Sequence, residues 1–288
     1  MDTNTKKQIQ LHLQNYVSRY DSQNQAANTL QNVSSGTISQ ISNNKWDKIN
    51  DKMWKNIASQ IGFNKNAWET VETNVYKEVT RYLTDAQENS LVMAYTGEAG
   101  TGKSHAAKEY VKNNPKAYLL SCNEYWQKKD FLIELLTAMG RDASGMSVTE
   151  MMREVESRLK STFCALIILD EADKLSDQVL YFFITLYNKL EDHCGIVMCA
   201  TDHLSKRIKR GIVLNRKGYK EILSRLGRKF IELDEPDITD VTQICHANGV
   251  KSIAVIKRIY NDCENDMRRV KRKVHAELKR AEELITND

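Results

Sequence analysis

Eight consecutive residues, Gly97-Glu98-Ala99-Gly100-Thr101-Gly102-Lys103-Ser104, fit the pattern G-x-x-x-x-G-K-[ST]. Glycines at these spacings let backbone N–H groups converge on phosphates. Lys103 can reach the β- and γ-phosphates, and Ser104 offers a hydroxyl to Mg²⁺. His105, directly after the loop, is counted with the nucleotide-binding stretch and reads as packed or exposed, not catalytic. A second group lies downstream in "ALIILDEAD", Ala165 to Asp173, where an apolar run ends in two carboxylates. Asp170 at the end of such a strand can hold Mg²⁺ through water, and Glu171 can orient or deprotonate an attacking water. Two strand-end acids could instead only cap a helix. The phosphate loop upstream favours the catalytic reading, with ATP and Mg²⁺ as the implied cofactors.

Both groups need a strand before them and a helix behind them, and the flanking pattern supplies these. Short apolar runs at Leu91–Thr96, Ala117–Ser121, Cys164–Leu169, Gly195–Ala200 and Phe230–Leu233 read as strands. Helical patterns fall between them at Ser104–Lys112, Phe131–Met139, from Val148 behind a Ser147–Glu150 capping box, at Val179–Leu190 and at Arg216–Leu226. Strands separated by helices imply a parallel sheet covered on both faces, an α/β fold. After Pro236 only helical patterns remain, at roughly 238–248, 252–262 and 266–285.

The first 66 residues read differently. Ile9, Leu13, Tyr16 and Val17 recur at helical spacing; Ala26, Ala27 and Leu30 give a short helix an apolar side. Asn32 marks a turn, Ser34 or Ser35 caps a helix with Ile38 and Ile41 facing inward, and Trp54, Ile57 and Ile61 make another helix stopped near Gly62. The Ala27, Val33-Ser34 and Thr37-Ile38-Ser39 positions resemble the helix-turn-helix of phage-repressor-type domains. Ser35, Thr37, Ser39 and Gln40 on its second helix suit base edges and phosphates of double-stranded DNA. A packing or oligomerisation module is the bland alternative. Residues 64–90, with Trp68, Val71, Val75, Val79 and Leu83 at helical spacing, bridge to the phosphate loop.

Bulk properties set limits. At 288 residues the chain has room for more than one domain, and 41% hydrophobic with 28% charged residues is ordinary for a soluble protein. No apolar run reaches membrane-span length, and the polar N-terminus does not read as a signal peptide. Six scattered cysteines without a C-x-x-C pair point to a reducing cytoplasm. Net charge is only +4, but residues 203–229 hold ten Lys or Arg (Lys206, Arg207, Lys209, Arg210, Arg216, Lys217, Lys220, Arg225, Arg228, Lys229) against Glu221 alone. A second basic run is Arg268-Arg269-Val270-Lys271-Arg272-Lys273. Lys206, Arg207, Lys209 and Arg210 are the candidates for contacts to a DNA backbone with little sequence preference.

From about residue 70 onward the chain resembles an AAA+ ATPase. The resemblance implies a domain plan of 1–66 helix-turn-helix, 67–235 ATPase and 236–288 helical lid. It implies that Thr201 of "VMCATD", or less readily Asp202, senses the γ-phosphate. It implies an arginine finger at Arg225 or Arg228, with the Ser-Arg-Leu setting of Arg225 the better match, and a lid sensor at Arg268 of "NDMRRV", where Asn265 stands in place of the usual Gly. A finger acts on a neighbour's ATP, so self-assembly into a filament or ring is implied. With the helix-turn-helix and the bridge "FNKNAWETVETNVYKEVTRYL", the chain is similar to the phage Mu B transposition protein family. That family implies ATP-dependent filaments on DNA, target capture for transposition and a transposase partner in a bacterial or phage setting. A helicase loader or replication initiator, or an ATP-responsive transcriptional regulator, shares enough of these motifs to stay open.

Overall fold

The structure, a computed structural model, describes residues 1–18, 20, 22–63 and 68–286. It divides into two compact units, Met1–Glu69 and Thr70–Asp288. The expected boundary at residue 66 falls outside the described residues.

Among its described residues the first unit has four helices, α1 (Thr3–Val17), α2 (Gln23–Asn28), α3 (Ser35–Ser42) and α4 (Asp51–Gln60). Each begins behind a side chain that accepts a first-turn N–H: Asp2, Ser22, Ser34 and Asn50. Ser34, not Ser35, is the cap of α3. Ile9, Leu13, Ala27, Leu30, Val33, Ile38, Ile41, Trp54 and Ile57 form one core. Burial of each large apolar side chain there contributes about 1.5–3 kcal/mol. Trp46 meets Trp54 edge-on at 5.6 Å. The α2–α3 turn passes through Asn32 at φ 58°, a conformation that Asn tolerates. Gln10 on α1 donates to Ile41 O at 2.8 Å, fixing α1 to the end of α3.

The second unit opens with α5 (Asn74–Glu88). It then runs β1 (Val92–Thr96), α6 (Lys103–Asn113), β2 (Ala117–Ser121), α7 (Lys128–Ala138), α8 (Val148–Ser161) and β3 (Ala165–Asp170). A 3-10 turn (Ala172–Lys174), α9 (Asp177–Leu190), β4 (Cys194–Ala200), α10 (Asp202–Val213), α11 (Tyr219–Arg225) and β5 (Ile231–Glu232) follow. Three helices close the unit: α12 (Ile238–Ala247), α13 (Ile253–Cys263) and α14 (Met267–Thr286). The five strands form one parallel sheet in the order β2-β3-β4-β1-β5, with Val92 opposite Ile196 and Leu166 opposite Gly195. Every residue of β3 and β4 is buried, as central strands covered on both faces require. One face packs on α7 to α11, the other on α5 and α6. Gly195 permits the second packing: a Cβ there would lie 2.2 Å from Ala86 O of α5. No described helix is long and apolar enough to cross a membrane.

The structure adds one helix to the sequence expectation. α10 covers the first part of the basic run, through Arg210, and the helix expected over Arg216–Leu226 is the shorter α11. Leu204, Ile208 and Gly211 of α10 are buried at helical spacing. Four intervening Lys or Arg residues obscure that narrow apolar stripe.

Candidate nucleotide site

The phosphate loop leaves the carboxyl end of β1 and enters α6. Its turns need Gly100 at φ 89° and Gly102 at φ 104°, both in the left-handed region. No side chain caps α6, so the N–H groups of its first turn face the loop without a competing acceptor. Gly97 N donates to Ala200 O at 3.3 Å, which ties the loop to the end of β4.

Lys103 lies folded against its own loop. Its Nζ donates to Glu98 O at 2.6 Å and Gly97 O at 2.8 Å. Burial holds the pKa of this ammonium below the ordinary lysine value. Ser104 Oγ donates to Asp170 Oδ1 at 3.0 Å, and Glu171 N reaches the same oxygen at 3.1 Å. Asp170 is buried at the end of β3. A hydroxyl and a carboxylate side by side at the mouth of a phosphate loop are the hard oxygen donors that Mg²⁺ takes, with phosphates and water completing its shell. Among the described residues no three His, Cys, Asp or Glu side chains converge on a metal, so a protein-only cage is not offered. Burial pushes the nearby Cys122 and Cys199 thiols up, which makes them core packing, not thiolates.

Glu171 occupies the left-handed region at φ 55°, and its carboxylate accepts from Lys174 Nζ at 2.7 Å. The expected water-activating group is thus paired with a cation three residues on. Thr201, at the end of β4, donates from Oγ1 to Asp173 Oδ2 at 3.1 Å. The polar group beyond β4 is therefore held by Asp173, two residues past Glu171, a residue the sequence reading passed over.

The helical C-terminal part reaches the loop directly. Met267 N donates to Gly100 O at 2.9 Å, and Asp266 Oδ1 accepts from Arg268 N at 2.8 Å. A Cβ at Gly100 would lie 2.4 Å from Asp266 Oδ1. Arg268 is exposed and is the residue next to the one touching the loop. Asn265 sits at φ 59°, so it does adopt the left-handed turn that a Gly would.

Several expected residues are placed elsewhere. His105 faces outward, with Nε2 3.2 Å from Thr70 Oγ1. Arg225 stacks on Tyr187 with 5.0 Å to the ring centroid and contacts Asn188 Oδ1 at 3.3 Å. Arg228 is exposed, so of the two finger candidates it is the one not engaged on α9. Arg207 is a correction: it is not a free cation for DNA. Its Nη1 donates to Leu175 O at 2.6 Å and Asp173 O at 3.3 Å, and its Nε to Asp177 Oδ1 at 3.1 Å. Spacing alone put it among its basic neighbours; packing aims it inward. Lys206 is exposed and paired with Asp202, while Lys209 and Arg210 are exposed. On α3, Ser35, Thr37, Ser39 and Gln40 are partly exposed, with Thr37 Oγ1 2.9 Å from Ser34 Oγ and Ser39 Oγ 3.3 Å from Asn43 Nδ2.

A family profile described as an AAA domain matches residues 86–208. The ATP-dependent target DNA activator B of Escherichia phage Mu is 23% identical over 193 residues, 66% of this chain and 60% of that protein. The Mu-like prophage FluMu DNA transposition protein B of Haemophilus influenzae is 22% identical over 183 residues, 63% of this chain and 62% of that protein. The match thus spans less than two thirds of the length of these relatives. Among solved structures, Cdc6p from Pyrobaculum aerophilum shares the fold at a TM-score of 0.55 and 16% identity, over 76% of this chain and 66% of that one. The Aeropyrum pernix ORC1 protein, solved in complex with DNA, does so at 0.50 and 17%, over 72% and 60%. The chain thus has a five-stranded parallel sheet with a phosphate loop of the kind an AAA domain carries, matched over residues 86–208, and is similar to the target DNA activators B of Mu-like phages.

Proposed function

We propose that the protein is an ATP-dependent DNA-binding ATPase that assembles on DNA as a filament, captures target DNA for transposition and activates a transposase. The observation that carries this reading is the meeting of Lys103, Ser104 and Asp170 at the loop, in a chain whose relatives are named ATP-dependent target DNA activators.

In this reading Lys103 leaves the Gly97 and Glu98 carbonyls for the β- and γ-phosphates, where an ammonium gains more than from neutral acceptors. Ser104 and Asp170 would hold Mg²⁺, which when bound offsets phosphate charge. Glu171 exchanges Lys174 for the attacking water and accepts its proton. Thr201, oriented by Asp173, faces the γ-phosphate, and Arg268 reaches it from the lid. Arg228 or Arg225 completes the site of the neighbouring subunit, so ATP acts as the assembly switch. Exposed Lys206, Lys209 and Arg210 track DNA phosphates, and α2–α3 work as a helix-turn-helix clamp that adds avidity.

Electron microscopy of the protein with DNA, with and without ATP, tests the reading. The expected result is regular filaments on DNA only with ATP, and none with Lys103→Ala. Small complexes at one preferred sequence, independent of ATP, would replace it with an operator-binding regulator.

A further inference from the structure

Asp240 is a buried carboxylate, 2% exposed, in the first turn of α12. Its hydrogen-bond partners among the described residues are backbone N–H groups at the starts of two different helices. Oδ2 accepts from Asp237 N at 3.3 Å, closing the capping box of α12. Oδ1 accepts from Asn74 N at 2.9 Å, the first residue of α5. A charge buried without a cation is costly unless N–H groups satisfy it, and two helix N-termini supply these together with the positive ends of two dipoles. The same carboxylate therefore joins the three-helix lid (α12–α14) to the helix that covers the sheet beside the phosphate loop. The other end of the lid rests on the loop itself, through Met267 N and Gly100 O at 2.9 Å. A displacement of α12–α14 as one body away from the sheet breaks both contacts, Met267 N to Gly100 O and Asn74 N to Asp240 Oδ1.

We propose that Asp240 is a positioning residue: by clipping α12 to α5 it holds the lid, and with it Arg268, over the phosphate loop, and so sets nucleotide affinity. This assignment rests on the reading of Gly97–Ser104 as the ATP site.

The donor can be deleted without touching the carboxylate. Asn74 is the first helical position of α5, where proline is well accommodated, and Thr73 before it sits at φ −65°, ψ 167°, which proline favours. Asn74→Pro thus removes the N–H and leaves the helix. Asp237→Ala serves as the control. It removes the side chain that accepts from Asp240 N at 2.9 Å, weakening α12, but keeps the contact to Asn74. In the full chain, Asn74→Pro and Asp240→Ala are expected to weaken binding of a fluorescent ATP analogue about tenfold. Both should also speed hydrogen exchange of residues 97–104 without nucleotide. Asp237→Ala should lower Tm and leave affinity and loop exchange unchanged. Should Asp240→Ala not fold, Asn74→Pro alone decides. Wild-type affinity and exchange in Asn74→Pro, or an equal loss in Asp237→Ala, would overturn the clip. Failure of the wild type to bind ATP would instead overturn the nucleotide reading, and the exchange comparison would still decide whether the clip holds the lid.

Discussion

Replacing Lys174 by Ala should make the protein hydrolyse ATP faster. Glu171 and Lys174 are bonded at 2.7 Å, with side chains 49% and 41% exposed. A pair this open to water is worth about 0.2–1 kcal/mol. If Glu171 must leave Lys174 to serve the attacking water, removing the lysine returns that free energy to the reactive arrangement. At 1.4 kcal/mol per factor of ten, kcat should rise about 1.5- to 5-fold, with ATP affinity unchanged. Steady-state phosphate release at saturating ATP reads the change. The double variant supplies the control. Glu171→Gln alone should cost about 10²–10⁴-fold, and adding Lys174→Ala to it should change nothing further, because the group being released is gone. A fall in kcat for Lys174→Ala would show that the lysine assists catalysis. Equal acceleration in both backgrounds would show that its effect does not pass through Glu171. Either result refutes the sequestration argument.

Other expectations follow from the same geometry. Arg207→Ala should destabilise the second unit by about 2 kcal/mol, since it strips the donors from Leu175 O and the Asp177 carboxylate; denaturant titration measures this, and an unchanged midpoint with weaker DNA binding would restore Arg207 to the DNA surface. Arg210→Ala should instead keep stability and reduce the slope of log affinity against log salt by about one. Arg228→Ala mixed with Lys103→Ala should recover ATPase activity that neither shows alone, and recovery with Arg225→Ala in its place would move the finger to Arg225. A chain starting at Thr70 should hydrolyse ATP and bind DNA more weakly; no DNA binding at low salt with ATPase intact would assign DNA recognition to the first unit.

Elements defined by long apolar runs were legible in the sequence. β3 and β4 are buried on both faces, so their residues announce themselves without any pattern from neighbours. The three C-terminal helices lie within a residue or two of expectation because Pro236 and the αL residues Glu264 and Asn265 punctuate them. The phosphate loop was legible because glycine and lysine at fixed spacing have few other uses. What the sequence concealed is direction and pairing. α10 was lost because half of its surface is charged, and Arg207 differs from Lys206 only in which side of that helix it leaves. Asp173 could have been found, as the third acid of "DEAD". Asp240 and Asp266 could not, because their importance lies in contacts with Asn74 and Gly100, far away along the chain.

The strand that leads into the phosphate loop has no early partner. Val92–Thr96 pairs with Ile196–Ala200 on one side and, through Tyr95 and Thr96, with Ile231 and Glu232 on the other. At ribosomal rates of about 5–20 residues per second, roughly 5–20 seconds pass between emergence of the first strand and of its first neighbour. During that interval Val92, Met93, Ala94 and Tyr95 lack both of their strand neighbours, and the loop that will hold phosphate has no floor. The four helices of the first unit close over contacts that are nearer in sequence, so they can be native while β1 still waits for its partner strands. The nascent chain would be at its most aggregation-prone in the stretch between the emergence of residues 96 and 200.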